Sequence, residues 1–443
     1  MSDLTEKSSV DKPESLTQWL AYIEALHPKS IAMGLERVKD VADRLQLAPT
    51  FPIISIAGTN GKGSTCAMLE SIYLDAGYRV GTYVSPHLRY YNERVRVNHQ
   101  PISDEALCEA FSATEAARGD VVLTYFEMGT LAAMWHFTQS DLDIAILEVG
   151  MGGRLDAVNV FEPACSIVTC VDLDHMDYLG DTREKVGAEK AGVYRPHKPA
   201  ICGDIDPPKA VIDYAEQLQS TLHLINRDFV VNKLEQGWQY KASESTLLLP
   251  SLALQGDFQL NNAACAICAV EKLNQQLPVS LGSIGDSLKP VTLLGRFYQV
   301  SQNPDIILDV AHNPQAADSL ANNLNDNPCK GRTFGVFAML VDKDIEHVVS
   351  ALLPHISLWY LADMHNARGA TAEDLESHLQ SQAKNGLTKQ FDNILGMVTK
   401  GISGFAVMII LLAIIVILSS INALENKERK KNSVIMSFGF LKK

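Results

Sequence analysis

Apolar residues recur at helical spacing near the start of the chain, at Leu16, Trp19, Leu20, Ile23 and Leu26 and again at Leu35, Val38, Val41 and Leu45. Positions three and four apart share one face of a helix, so two amphipathic helices are expected before the first strand. That strand reads FPIISIAG. Beyond it, apolar runs of strand length alternate with helical stretches: DIAILEVG at 143–150, CSIVTCVD at 165–172 and PAICGD at 199–204. Such alternation predicts a largely parallel α/β sheet. A second βα series begins after LLGRF, at about residue 297, with DIILDVAH, RTFGVFAML and SLWYLADM each followed by a helical stretch. Turn-rich sequence at 282–296 separates the two series, giving a first domain over 1–296 and a smaller Rossmann-like α/β domain over 297–385.

The pattern breaks at about residue 386. Residues 401–424, GISGFAVMIILLAIIVILSSINAL, carry no charge, and a stretch of that length can cross a bilayer, with 402–421 as the candidate transmembrane helix. Lys427, Arg429, Lys430 and Lys431 follow it closely, which would put the tail in the cytoplasm. A single span would then leave both domains on the far side, away from cytoplasmic nucleotide.

A length of 443 residues accommodates two globular units and a sizeable core. The net charge of −14, with no long basic cluster before the extreme C-terminus, argues against nucleic acid as a partner. Anionic ligands must then be held by local sites. Eight scattered cysteines and a start, MSDLTEKSSVDKPE, that lacks the marks of a secretory signal fit a reducing cytosol. The CxxC of Cys265 and Cys268 lies in NNAACAICAV, where a three-residue step puts both sulfurs on one buried helical face, so core packing is expected rather than a metal site.

Directly after FPIISIA comes Gly58-Thr59-Asn60-Gly61-Lys62-Gly63-Ser64-Thr65, followed by CAMLESIYLDAG. Strand, glycine-rich turn and helix stand in the order that a phosphate cradle needs. Glycines let backbone N–H groups approach phosphate oxygens, the helix start adds partial positive charge, and Lys62 can bridge the outer phosphates. Ser64 or Thr65 is placed to meet a metal. Ile56 stands where the general GxxxxGK[ST] loop has its first glycine, and Gly63 separates lysine from serine, so a generic GTPase is disfavoured.

Other residues occur just past strand-like runs, where open α/β sheets bind ligands. Ser85 lies in SPHL, Glu148 ends IAILEVG before a glycine turn, and His175 lies in DLDHMDYLG with Asp174 and Asp177 beside it. A carboxylate such as Glu148 suits a hard cation like Mg²⁺. Lys190 falls on a helical stretch in REKVGAEKAGVY; Asn262, Arg296, Asp309, His312 and Asn313 occur in QLNNAACA, LLGRF and DVAHNP. Motifs on both sides of the boundary suggest a nucleotide held between the domains.

The strings SIAMGLERV, AGTNGKGST, SPHLRYYNERVRV, LTYFEMGT, LEVGMGGRLDAVN, DHMDYLGDTREKVGAEKAG, GRF, DVAHNP, MLVDKDI and RGATAEDL occur in order over about 350 residues. Together they closely resemble the dihydrofolate synthase/folylpolyglutamate synthase family of the Mur ligase superfamily. The resemblance implies a P-loop parallel-sheet ATPase domain with a smaller Rossmann-like domain; a monomer is expected, although the sequence does not give the oligomeric state. It also implies ATP-dependent addition of L-glutamate to dihydropteroate and to tetrahydrofolates through an acyl phosphate. By motif, Thr59, Asn60, Gly61, Lys62, Gly63, Ser64 and Thr65 would bind the ATP phosphates, with Asn262, Arg296 and Asp309 on the nucleotide. Ser85, Glu148 and His175 would ligate Mg²⁺, and Lys190 matches a carbamylated lysine that can bind a second metal. The catalytic set would be Lys62, Lys190 and His175. Ser30, Ile31, Ala32, Thr124, Tyr125, Phe126, Glu127, Leu155, Asp156 and Ala157 would line the substrate pocket. Ala32 stands where related bifunctional enzymes commonly carry aspartate, which bears on the pterin contacts.

Family members complete the second domain with a further strand near a GSFHTV-like motif. SFGF at 437–440 is too short to count as one, so the domain is expected to be truncated and weakly active. The tail loosely resembles ABC permeases of the lipoprotein-export type, which suggests a junction joining a truncated ligase to a membrane-transport fragment, a non-functional chimera, rather than a membrane-anchored ligase. Two rivals to the folate reading are a Mur-type peptidoglycan ligase, disfavoured by LTYFEMGT and the SPHL block, and a membrane-transport component, disfavoured by the lack of an LSGGQ-like signature.

Overall fold

The computed structural model describes residues 13–29, 31–364, 368–386 and 433–438. Both N-terminal helices form, over Leu16–Leu26 and Glu36–Arg44. The first is capped reciprocally: Gln18 N donates to Ser15 Oγ, and Ser15 N donates to Gln18 Oε1.

The first sheet is built from β1 (Ile53–Ala57), β2 (Val80–Tyr83), β3 (Val95–Val97), β4 (Gln100–Pro101), β5 (Ile144–Glu148), β6 (Cys165–Val168), β7 (Pro199–Cys202) and β8 (Thr221–Leu224). Across the sheet they run β4-β3-β2-β5-β1-β6-β7-β8. The pairs from β2 to β8 are parallel, and β3 and β4 add an antiparallel edge. All five residues of β1 are buried, because its alternate side chains enter two cores. Ile53 and Ala57 face a core shared with Trp19, Phe111 and Met128, while Ile54 and Ile56 face one shared with Met68, Ile72, Cys265 and Cys268. The CxxC thiols are therefore core residues, and burial pushes that of Cys268 up to about 12. Since β1 lies between β5 and β6 and β2 is next to β5, the loops that leave these strands emerge side by side at one edge.

The helix Phe258–Leu273 packs on the P-loop helix Lys62–Asp75, and an antiparallel ribbon of β9 (Phe229–Lys233), β10 (Trp238–Ala242) and β11 (Thr246–Leu249) covers it. No strand was expected from sequence in 221–249; these are short and interrupted by polar residues.

The second sheet contains β12 (Tyr298–Gln302), β13 (Asp305–Asp309), β14 (Thr333–Ala338), β15 (Leu358–Leu361) and β16 (Ser433–Phe438), in the order β12-β13-β16-β14-β15. The expected runs DIILDVAH, RTFGVFAML and SLWYLADM supply β13, β14 and β15. One expectation is corrected here: the sheet is not left open, because 433–438 pairs in parallel with β13 on one side and β14 on the other. Six residues, SVIMSF, suffice for a strand, and Ser437 and Phe438 of the discounted SFGF end it. Among the described residues no helix is long and apolar enough to cross a membrane. The candidate span 402–421 lies outside the described residues, as does Ser30.

Candidate active site

The glycine-rich turn leaves β1 and is tied down by the chain after β6. Thr59 N donates to Cys170 O at 2.9 Å, Thr59 Oγ1 donates to Asp172 O at 2.9 Å, and Thr169 Oγ1 donates to Asn60 O at 2.6 Å. Lys62 opens the helix and turns its ammonium back on the loop, donating to Gly58 O at 2.9 Å and Thr59 O at 3.1 Å. Thr65 is fully buried and donates to Gly61 O, a helix-internal bond, so of the two candidate hydroxyls it is Ser64 that lines a cavity.

Two cavities meet at this turn. One, of about 480 Å³, is lined by Asn60, Gly61, Ser64, Phe258, Asn262, Arg296, Asp309 and Gln315 among others. It collects the residues expected on the nucleotide from both sheets. Asp309 accepts from Phe297 N and Ala311 N at 2.8 Å each, so its carboxylate pins the Arg296 turn to the DVAHNP turn. The other cavity, of about 240 Å³, is lined by Ile31, Ala32, Thr59, Lys62, Gly63, Ser85, Thr124, Tyr125, Phe126, Glu127, Glu148, Leu155, Asp156, Ala157, His175 and Lys190. Asn60, Gly61, Arg296 and His312 border both.

The second cavity is rich in cations despite the acidic chain: Lys62, Arg94, Lys190, Arg296 and Arg368 all reach its wall. Lys190 is buried, and that burial, helped by the charge of Lys62, brings its ammonium down to about 7. Burial likewise lowers His175 to about 4, leaving a neutral imidazole with a free lone pair at neutral pH. Asp156 is raised to about 7 by burial although it accepts from Met151 N and Val158 N. Glu127 lines the wall, but its oxygens are spent within the protein. Oε2 accepts from Thr124 N at 2.7 Å in a capping box, and Oε1 accepts from Arg37 at 2.7 Å.

A divalent cation fits the donor set. Ser64 Oγ is buried and has no hydrogen-bond partner, and on the wall of the second cavity Glu148 is buried with Oε2 accepting from Ser85 N at 3.2 Å. Burial raises Glu148, and a nearby cation would satisfy that carboxylate. Among the described residues no cluster of three His, Cys, Asp or Glu side chains could hold a metal unaided. A site of one carboxylate, one imidazole and hydroxyls, completed by phosphate oxygens and water, matches the habits of Mg²⁺.

The second domain meets this edge through two joints that sequence reading passed over. Asn60 Nδ2 donates to Asn313 Oδ1 at 3.1 Å and to Gln315 Oε1 at 2.6 Å, while Asn313 Nδ2 returns a bond to Asn60 Oδ1 at 3.0 Å. Lys343 Nζ donates to Asp174 Oδ1 at 2.6 Å. MLVDKDI carried Lys343 within a recognised string, but nothing local singled it out.

Comparison with known proteins identifies the family. The Mur ligase middle domain matches residues 56–270, and the Mur ligase glutamate ligase domain matches 295–403. The dihydrofolate synthase/folylpolyglutamate synthase of Escherichia coli (strain K12) is 44% identical over 380 residues, covering 86% of this chain and 87% of that protein. This chain belongs to that family. The Haemophilus influenzae member is 38% identical over 390 residues, covering 84% of this chain and 88% of its own. Among solved structures, E. coli FolC in complex with DHPP and ADP is 39% identical, with a TM-score of 0.83 and coverage of 97% and 96%. A bifunctional folylpolyglutamate synthase/dihydrofolate synthase with Mn, AMPPNP and L-glutamate bound is 38% identical, with a TM-score of 0.82. As a family member the chain is an ATP-dependent ligase that adds glutamate in folate metabolism.

Proposed function

We propose that the two cavities are the nucleotide and acceptor halves of one ligase site, with the loop at 58–65 between them. The observation that supports this is their shared border at Asn60, Gly61, Arg296 and His312, where the outer phosphates of a bound ATP would lie next to the acceptor. Dihydropteroate or a tetrahydrofolate would lie along Ile31, Ala32, Phe126 and Leu155–Ala157. Lys62 would leave the loop carbonyls for the outer phosphates, and Ser85, Glu148 and His175 would hold Mg²⁺. That cation, when bound, supplies charge neutralisation between two anionic reactants. The acceptor carboxylate attacks the γ-phosphorus as ADP leaves, the glutamate amine attacks the resulting acyl phosphate, and collapse of the tetrahedral adduct expels phosphate. Arg296 and His312, on both cavities, face the position where phosphate charge is passed on. Lys190, near its neutral form at physiological pH, is suited to carry a carbamate.

The test is release of ADP dependent on both L-glutamate and dihydropteroate or a reduced folate. Lys62→Ala should reduce it by at least 100-fold, on the scale expected when a preorganised charge is lost. Undiminished release in that variant would overturn the assignment of the loop.

A further inference from the structure

The amide joint at Asn60 and the ionic joint at Asp174 differ in kind. The amides are neutral and water can replace each bond when the domains part, so that joint adds little net preference. The ionic joint joins two charges withdrawn from water: the Lys343 side chain is 3% exposed and that of Asp174 is 13% exposed. Asp174 lies on the loop after β6 and Lys343 on the loop after β14, so the bond exists only while the two sheets' loops are together. Both ends are held. His175 N donates to Asp174 Oδ1 at 2.9 Å, and Ile345 N donates to Lys343 O at 2.8 Å. Asp174 Oδ2 faces two imidazoles, His175 Nε2 and His312 Nε2, each at 3.8 Å.

We propose that Asp174 and Lys343 form an interdomain latch, positioning residues that hold the second domain over the phosphate loop. The latch sets the spacing between the loop at 58–65 and the Arg296, Asp309 and His312 side of the nucleotide cavity. Its physics makes it reversible. Separation returns both charges to water, so the pair exchanges hydration for one short contact. Removing one partner changes the balance, because the remaining charge stays buried and unpaired in the closed arrangement and regains water only by opening. Removing both takes away that drive to open. Loss of Asp174 is the harsher single change, since Lys343 Nζ has no other hydrogen-bond partner among the described residues, whereas Asp174 without Lys343 keeps the bond from His175 N.

The inference does not depend on the catalytic reading, and its test measures shape. Small-angle scattering of the full ligand-free chain gives the radius of gyration of each variant. Asp174→Asn should be the most expanded, Lys343→Met less so, and Lys343→Arg, which keeps the charge, should match the parent. The double variant Asp174→Asn/Lys343→Met should be more compact than Asp174→Asn alone. A fluorescence distance between labels on the two domains reads the same quantity in any variant too scarce for scattering. ADP affinity in Asp174→Asn should fall about tenfold, in proportion to the competent population. Single variants with the parent's dimensions, a double variant whose expansion is the sum of the singles, or a Lys343→Arg that opens as far as Lys343→Met would each overturn the latch.

Discussion

Lys190 shows how one buried amine links stability to chemistry. Burial first, and the charge of Lys62 second, bring it from 10.5 to about 7. Between those values the unfolded chain binds a proton that the folded chain does not, so stability must rise with pH across that window. The destabilisation is fully present below pH 7 and gone above 10.5; at about 1.4 kcal/mol per pH unit its ceiling is about 5 kcal/mol. Lys190→Met removes the titration. In buffers purged of carbon dioxide, the variant should melt above the parent at pH 7, and the gap should close as pH approaches 10. Added bicarbonate should raise the melting temperature of the parent alone if the neutral amine takes up carbon dioxide as a carbamate. A gap that is constant with pH would show that the amine is not held near neutrality, and the variant should in either case lose turnover.

At the scale of the element, the glycine-rich turn works because of one backbone position. Gly61 has φ +87°, and a Cβ there would stand 2.4 Å from Asn262 Oδ1 on the helix behind it. Gly61→Ala therefore combines about 1–2 kcal/mol of left-handed strain with a collision. Thermal unfolding should register the loss, and Asn262→Ala in the same chain should return part of it by removing the obstacle. ADP affinity should stay low in both, because Asn262 lines the nucleotide cavity. A Gly61→Ala protein with the parent's melting temperature and ADP affinity would refute this account. The turn was legible in the sequence because strand, glycines, lysine and helix are contiguous, and Ser85, Glu148 and His175 could be placed because each ends or follows a strand-like run. The joints were not legible. Asn60 and Asn313 are 253 positions apart, Asp174 and Lys343 are 169 apart, and none of these residue types is unusual on a loop. Glu127 was read as pocket lining from its motif, but only its bonds to Thr124 and Arg37 show how its oxygens are used. The strand at 433–438 was not legible because SFGF at 437–440 is too short a match to mark one, and only its pairing with β13 and β14 identifies it.

For the whole molecule, that strand decides between two topologies. β13 and β14 precede residue 386 in the chain, and β16 at 433–438 lies between them, so 386 and 433 belong to one body. A single bilayer crossing by 402–421 would put them on opposite sides. Nor could the chain return: the dozen residues from 421 to 433 reach about 40 Å fully extended, no more than the thickness of a bilayer with its headgroups. Pairing of β16 and a single span are mutually exclusive. The full chain should therefore partition into the aqueous phase of a cloud-point detergent separation and turn over equally with and without detergent. Deleting 433–443 should open a gap between β13 and β14, whose loops carry His312 and Lys343, and abolish turnover while the first domain still melts cooperatively. Recovery of the full chain in the detergent phase, or a deletion variant with the parent's turnover, would mean that β16 does not hold the second sheet together, and the single-span topology would then have to be reconsidered.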